Sequence, residues 1–376
     1  MLKFAQRLFT LQLCRVESAV NAQEAVYMSD TTTRMEILDQ PESIRTTFQA
    51  EHEHIKEIAR RIVDRGIERL YFVGMGSSLA AIYSAKCLLD RESTIPSDIF
   101  RGYELHYVNP AGLNEKSCMI LVSLSGETED VVAALRLAKE KRSLTVGITV
   151  LESTLAKEAD EAIIVRTRDL KAMVAAYLTQ LMTLYLLAGY ITQFRDGSNK
   201  IEALIRDFER IPDILVKLIN DERVRARNIA RGYKNAKIFY VISAGPLYGL
   251  AYKLAMTMLT ENSWVHGLVQ YSCEFRHGIV EMIGKGLPIM FLLGYNGSEV
   301  DVKRELDTCN KIGAKTLVFD SAKYPKVDEF LTPFILAIPT EWFVYYLALE
   351  RRKKPVARRY MGKVIPYAHM KGAKII

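Results

Sequence analysis

The sequence has few cysteines and pairs none of them. Five are scattered at positions 14, 87, 118, 273 and 309 of 376, an odd number with no C-x-x-C spacing. A disulfide framework and a zinc ribbon are thereby excluded, and a reducing, cytoplasmic setting fits. Long apolar runs are missing too. The longest expected here, around Leu287 to Gly294, suits a buried strand and falls short of the ~18 residues of a membrane span. Acidic residues are missing from one end: from Arg351 onward there are nine Lys/Arg and no Asp or Glu. The formal charge of +7 therefore belongs to that tail, and the rest of the chain carries −2. Such a tail (351–376) can be a solvated end, a lid over an anionic ligand, or a nucleic-acid patch, although no DNA-reading motif accompanies it. Acids are also absent from residues 1–16, where Lys3, Arg7 and Arg15 stand among Phe and Leu, a weak likeness to a transit peptide. Met28-Ser29-Asp30 is an equally good start, so within the N-terminal segment 1–44 residues 1–27 are expected to be a disordered or misassigned extension.

What is present is an ordinary globular composition, 49% apolar and 25% charged, in a chain long enough for two domains. From 45 to 200 the pattern alternates: a helix at Glu51–Val63, a strand at Leu70–Val73, a helix through Leu89, a strand at Cys118–Val122, a helix at 131–141, a strand at Leu144–Val150, a strand at Ala162–Val165 and a long apolar helix over 172–194. That predicts an α/β domain with a parallel sheet covered on both faces. Residues 201–235 are charged and helical, a linker. From 236 to 350 the plan repeats, with strands at 238–242, 287–293, 314–319 and 333–338. An offset of 169 places Gly76 on Gly245 and Tyr83 on Tyr252.

The chemistry concentrates at a few places. Ser123-Leu124-Ser125-Gly126-Glu127-Thr128-Glu129 joins a strand to a helix N-terminus, where free backbone N–H groups and the helix dipole favour an anion. Ser123, Ser125 and Thr128 add hydroxyl donors. Gly74-x-Gly76 lacks the third glycine of a dinucleotide loop, and Gly76-Ser77-Ser78 reads better as a second set of anion donors at a neighbouring strand end. The second copy, Ser243-Ala244-Gly245-Pro246, has lost the paired serines. Leu250, Leu254, Met258, Glu261 and Val265 fall on one helical face, which sets a carboxylate in an apolar stripe. Burial there would raise its pKa toward that of a general base; the plain alternative is a helix end pointing to solvent. His277, sixteen residues on, is either a satisfied histidine or an agent for ring opening. His266, one turn past Glu261, and Glu274 are further candidates. Glu51-His52-Glu53-His54 lacks H-E-x-x-H spacing and reads as a solvated helix face.

These pieces together resemble the tandem sugar isomerase (SIS) domain family over roughly residues 45–367. The S-x-S-G-E-T loop matches Ser123 to Thr128, the G-x-S turn matches Gly76 to Ser78, and the family's glutamate and histidine stand sixteen apart, as do Glu261 and His277. The resemblance to the isomerase half of glucosamine-6-phosphate synthase is the more distant one. Met258 replaces its lysine, Asp169-Leu170-Lys171 occupies the place of its S-T-K motif, and no N-terminal cysteine glutaminase domain is present. The sequence is more similar to the fructosamine 6-phosphate deglycases, at Asp90–Ser93, Asn109-Pro110 through Ser117, and Arg358-Arg359-Tyr360-Met361 with Lys363-Val364. That resemblance implies a phosphate held by Ser78, Ser123, Ser125 and Thr128, a base at Glu261 and a ring-opening proton carrier at His277. It implies no metal or redox cofactor. It also implies a homodimer with His277 serving the partner's site, and Arg358, Arg359 and Lys363 closing over the phosphate or the amino-acid carboxylate. The alternatives are a glucosamine-6-phosphate deaminase or aldose–ketose isomerase, or a non-catalytic sugar-phosphate sensor. Neither nucleic acid nor membrane is expected as a partner.

Overall fold

The computed structural model describes residues 32–167, 174–360 and 363–364. The questions raised by residues 1–27, by Asp169–Lys171 and by Met361 lie outside the described residues. Among the described residues the first element is a 33-residue helix α1 (Thr32–Asp64), which begins well before Glu51, so residue 44 lies inside it. Ile37, Ile44, Ile55, Ile58 and Ile62 are its buried side. The Glu51–His54 cluster is a solvated face only at Glu53, which is exposed; Glu51 and His52 are held against the protein. Glu51 is buried and meets Arg166 at 3.1 Å and His54 at 3.2 Å, while His52 stacks on Phe48 and bonds the Tyr190 hydroxyl. Burial lowers the His52 pKa.

Five strands make the first sheet: β1 (Arg69–Gly74), β2 (Ser97–Phe100), β3 (Ser117–Val122), β4 (Leu144–Thr149) and β5 (Glu161–Ile164). All neighbours are parallel, in the order β2-β1-β3-β4-β5. The central strands β3 and β4 are buried along their whole length, as expected for a sheet with helices on both faces. The edge strand β2 has only four half-exposed residues and gave no sequence signal. The covering helices are α2 (Gly76–Glu92), α3 (Glu104–Val108), α4 (Glu129–Glu140), α5 (Thr154–Glu158) and α6 (Val174–Asp196). Helix α7 (Lys200–Tyr233) then crosses to the second sheet, burying Leu204, Phe208, Ile211 and Leu215.

The second sheet holds β6 (Ile238–Ser243), β7 (His266–Tyr271), β8 (Pro288–Leu293) and β9 (Lys315–Asp320), again all parallel, in the order β7-β6-β8-β9. It reproduces the first sheet without its last strand. The strand expected at 333–338 is instead part of helix α10 (Thr332–Glu350). Each residue from Thr332 to Leu349 is buried, Thr340 and Glu341 included, so no exposed polar face marks its period; Pro333 in the first turn suits a helix start. By length and composition α10 could cross a membrane, contrary to the absence expected from the sequence, but the protein itself encloses it completely. It is a core helix, and it carries Glu341 into the interior.

The halves meet where α2 packs against α8 (Leu247–Lys253). A Cβ on Gly249 would stand 2.2 Å from the Ala80 carbonyl oxygen, so glycine is required for the approach. The Ser84 hydroxyl donates to the Pro246 carbonyl at 2.6 Å, and the Tyr83 and Tyr252 rings meet at 5.3 Å. The 169-residue repeat is thus visible as a contact: Tyr83 packs on its own counterpart. Gly76 and Gly245 are both left-handed, at φ +53 and +60.

Candidate active site

β1 and β3 are neighbours, with Gly74 in register with Val122, so the loops after them leave the sheet side by side. In the second loop Gly126 has φ +63, and a Cβ there would stand 2.3 Å from Ser153 Oγ and 2.4 Å from Thr149 Oγ1, which makes glycine obligatory. The turn is held by its own hydroxyls: Ser123 Oγ lies 2.9 Å from Thr128 Oγ1 and accepts from Gly126 N, and Ser125 Oγ accepts from Glu127 N. Glu127 points away and caps α5 by accepting from Thr154 N and Oγ1 at 2.8 and 2.9 Å. That leaves Ser125 and Thr128 half-buried at the start of α4, where no side chain caps the helix N-terminus. In the first loop Ser78 is buried and donates to Gln180 Oε1 at 3.2 Å, whereas Ser77 is the more accessible serine.

Glu261 comes from the second half. Helix α8 runs without a break into a π-helix, Leu254–Asn262. Its i→i+5 bonding widens each turn, so the regular face anticipated from Leu250 to Val265 does not persist. Ala255 and Leu259 are buried with Leu254 and Met258, and Val265 has left the helix at the entrance to β7. The carboxylate of Glu261 projects into a cavity with Ser77, Lys253, Thr257, Met258 and Arg358, so both halves contribute to one wall. Burial raises the Glu261 pKa, and Arg358, with Nη2 at 3.1 Å from Oε2, opposes that rise. The pair is three-quarters covered, each side chain being 25% exposed.

Behind this wall is an arrangement that the periodicity did not reveal. Lys253, 1% exposed, meets Glu341 of α10 at 2.5 Å, and Gln40 of α1 donates to the other carboxylate oxygen at 2.6 Å. The Lys253 ammonium also lies 4.4 Å from the Tyr177 ring centre. In sequence, Lys253 is one charge on an apolar helix and Glu341 one acid in an apolar run; only the fold joins them.

The basic tail returns over the site. Arg351 donates to the carbonyls of Lys234 and Ala236 at 2.8 Å and of Ser263 at 3.0 Å, which fixes the turn between the π-helix and β7. Arg358 then reaches Glu261, and Arg359 lies over the Trp264 ring. Lys363 is exposed, beyond a turn whose backbone N bonds Tyr360 O.

The two histidines are placed differently from what the spacing suggested. His266 is not one helical turn past Glu261; it is the exposed first residue of β7 and shares a second cavity with Glu261 and Arg358. His277 ends a 3-10 helix (Ser272–His277) past the other end of β7, exposed beside Glu274. β7 pairs in register with β6 along its length, so at ~3.3 Å per residue Glu261 and His277 are separated by a strand of roughly 17 Å. His277 and Glu274 line neither cavity beside Glu261. The turn that carries them is tied to α9 (Glu299–Ile312), where buried Glu305 accepts from Ser272 Oγ at 2.6 Å. Burial pushes the Glu305 pKa up to about 7. Among the described residues no group of three or more His, Cys, Asp or Glu is arranged to hold a metal.

Two parallel sheets joined through α2 and α8, with hydroxyl-bearing loops after neighbouring strands of the first and a cavity in which Ser77 and Glu261 share a wall, define the class. Residues 65–189 match the SIS domain model. Among curated relatives, the fructoselysine 6-phosphate deglycase of Escherichia coli is 31% identical over 315 residues, covering 83% of this chain and 91% of the relative. The fructosamine deglycase of Bacillus subtilis is 32% identical over 306 residues, covering 79% and 92%. The crystal structure of a Bacillus subtilis protein classed with the phosphosugar isomerases superposes with a TM-score of 0.77 at 30% identity, over 84% of this chain and 97% of that one. The chain belongs to the SIS family, as a tandem-domain protein related to the fructosamine and fructoselysine 6-phosphate deglycases. More distant likeness runs to glutamine–fructose-6-phosphate aminotransferase, 26% identical in Caldanaerobacter subterraneus, of whose length the chain spans 55%.

Proposed function

We propose that the protein is a fructosamine 6-phosphate deglycase, releasing glucose 6-phosphate and a free amino acid from a 6-phosphorylated Amadori compound. The observation that carries this reading is Glu261, a carboxylate raised by burial at the wall shared by the two halves, in a chain that aligns with two deglycases along most of its length. The phosphate is held by Ser125, Thr128 and the start of α4, with Ser77 and Gly76 beside them and Ser78 and Ser123 bracing the loops from within.

The chemistry follows from the substrate's connectivity. Glu261 takes a proton from C1, whose bonding pair becomes the C1–C2 double bond as the C2 carbonyl oxygen gains a proton, giving an enaminol. Protonation at C2 leaves a C1 iminium. Water adds to C1, the C–N bond breaks, and glucose 6-phosphate and the amine depart. A carboxyl whose pKa lies above the ordinary value is suited to both proton transfers. His277 opens the sugar ring, and because β7 holds it away from Glu261 in the same chain, we assign it to the site of a second copy in a homodimer. The four described cysteines are free, which supports a cytoplasmic enzyme.

The reading is tested by incubating the protein with 6-phosphofructosyl amino acids and, separately, with glucosamine 6-phosphate. Glucose 6-phosphate and amine in equal amounts from the first are expected. Fructose 6-phosphate from the second, with the Amadori compounds untouched, would instead indicate a deaminase.

A further inference from the structure

A third cavity lies apart from those beside Glu261, at the amino ends of β6, β8 and β9. Its volume of about 530 Å³ exceeds that of either of them and is in the range of small-molecule sites, and no residue lines both it and them. Lys237, Lys285 and Lys315 stand around it with Asn235 and Tyr233, and no acid does. We propose that this cavity is a second anion site and that it takes a compact molecule built on a diphosphate group. The site goes beyond the deglycase reading and does not depend on it.

Three observations support it. First, the lysines come from neighbouring strands of one parallel sheet, in the order β6-β8-β9. Lys237 and Lys315 are thus carried on strands roughly 10 Å apart, with Lys285 on the turn that enters the strand between them. Three positive charges over that width outnumber the charge of roughly −2 on a single phosphate and suit two linked ones. Second, each lysine is held. The Lys237 carbonyl accepts from His266 N at 3.0 Å, and the turn of Lys285 is closed by Leu287 N on Gly284 O at 3.1 Å and Gly286 N on Gly313 O at 2.8 Å. The Lys315 ammonium donates to the Gly232 carbonyl and lies 4.2 Å from the centre of the Tyr233 ring. Third, among the described residues no carboxylate meets Lys237 or Lys285, although the chain outside its basic tail carries a net −2. Like charges gathered without a counter-charge repel, and an anion that enters relieves the repulsion. Ammonium groups act on phosphate as point charges and lack the planar fork that matches a carboxylate. Tyr233 is buried with Lys315 over its ring, so it offers no open aromatic face to a nucleobase.

Pyrophosphate is the probe. It is titrated calorimetrically into the full-length wild type, into Lys237→Ala/Lys285→Ala, and into Lys303→Ala/Lys323→Ala, a control whose exposed lysines line none of the three cavities. The wild type and the control are expected to share a binding event that the Lys237/Lys285 variant holds roughly ten- to hundredfold more weakly. Thermal unfolding reads the same event without the heat of binding: pyrophosphate should raise the midpoint of the first and third proteins and not of the second. Malonate, a dianion without phosphate, should bind the wild type at least about tenfold more weakly, and ADP no more tightly than pyrophosphate. Equal losses in the two double variants, or no loss in either, overturn the site. Malonate as tight as pyrophosphate, or ADP tighter, overturns the compact diphosphate as its ligand. Pyrophosphate bound at the Ser125 loop would contribute equally to all three proteins, so failure of the catalytic reading leaves this difference untouched.

Discussion

The two halves share a sheet order, a left-handed glycine after the first strand and a helix that packs on its counterpart, but they have used the same loop differently. After β1 and β3 the hydroxyl loops leave Ser77, Ser125 and Thr128 accessible in front of an uncapped helix. After β6 the equivalent turn is closed by the protein itself. Gly245 N donates to the Tyr271 hydroxyl, and a Cβ on Gly245 would stand 2.5 Å from Asn296 Nδ2. Asn296 in turn accepts from the Ser298 N and hydroxyl. The helices diverge as well. Offset by 169, Glu261 falls on Glu92, which ends a regular α-helix and accepts from Ser198 Oγ at 2.9 Å. In the second half that helix is a π-helix, and the same position faces a cavity. On the function proposed above, one copy of the fold binds the phosphate and the other supplies the base, and a change of helical pitch at a single segment accompanies that division.

The comparison can be broken at several points. The largest effect is expected from the glutamates: Glu261→Gln should lower kcat roughly 10²- to 10⁴-fold, the usual weight of a general base, whereas Glu92→Gln should leave kcat in place. Steady-state kinetics on one Amadori substrate decides this, and similar losses in both variants would end the division of labour. Next come the hydroxyls. Ser125→Ala and Thr128→Val should each raise KM by about tenfold, the value of one hydrogen bond to a charged group, while Ser298→Ala in the closed loop should not change KM.

Arg358 sharpens the picture through pH. Its guanidinium favours the ionised form of Glu261, so Arg358→Gln should let burial raise that carboxyl further. The acid limb of the kcat/KM profile should then move to higher pH; a shift to lower pH would contradict the assignment. The smallest effect is expected at Glu305. Its folded pKa of about 7 lies above the ordinary 4.5, so the folded state holds the proton more tightly. The stability this confers is complete below about pH 4.5 and is lost as pH rises through about 7. Glu305→Gln should therefore gain on the wild type in urea unfolding between pH 5 and pH 8.

Much of this organisation could be read from the residues, and what could not has physical causes. The buried strands of both sheets announced themselves as short apolar runs, and the hydroxyl loop by its place between a strand and a helix. Strands β2 and β7 did not, because as edge strands they are half exposed or exposed and lack a continuous apolar run. The 333–338 segment was misread because a fully buried helix has no amphipathic period to distinguish it from a buried strand. The ideal helical face that points to Glu261 is not kept by the π-helix, although the residue does line a cavity. The Lys253–Glu341–Gln40 cluster and the Arg359–Trp264 contact were out of reach because each joins residues brought together only by the fold.

The division between the halves is tested most directly by titrating glucose 6-phosphate calorimetrically into the Glu261→Gln and Ser125→Ala proteins. The account predicts wild-type affinity in the first and a clear loss in the second. Loss of binding in Glu261→Gln, with Ser125→Ala unaffected, would contradict it.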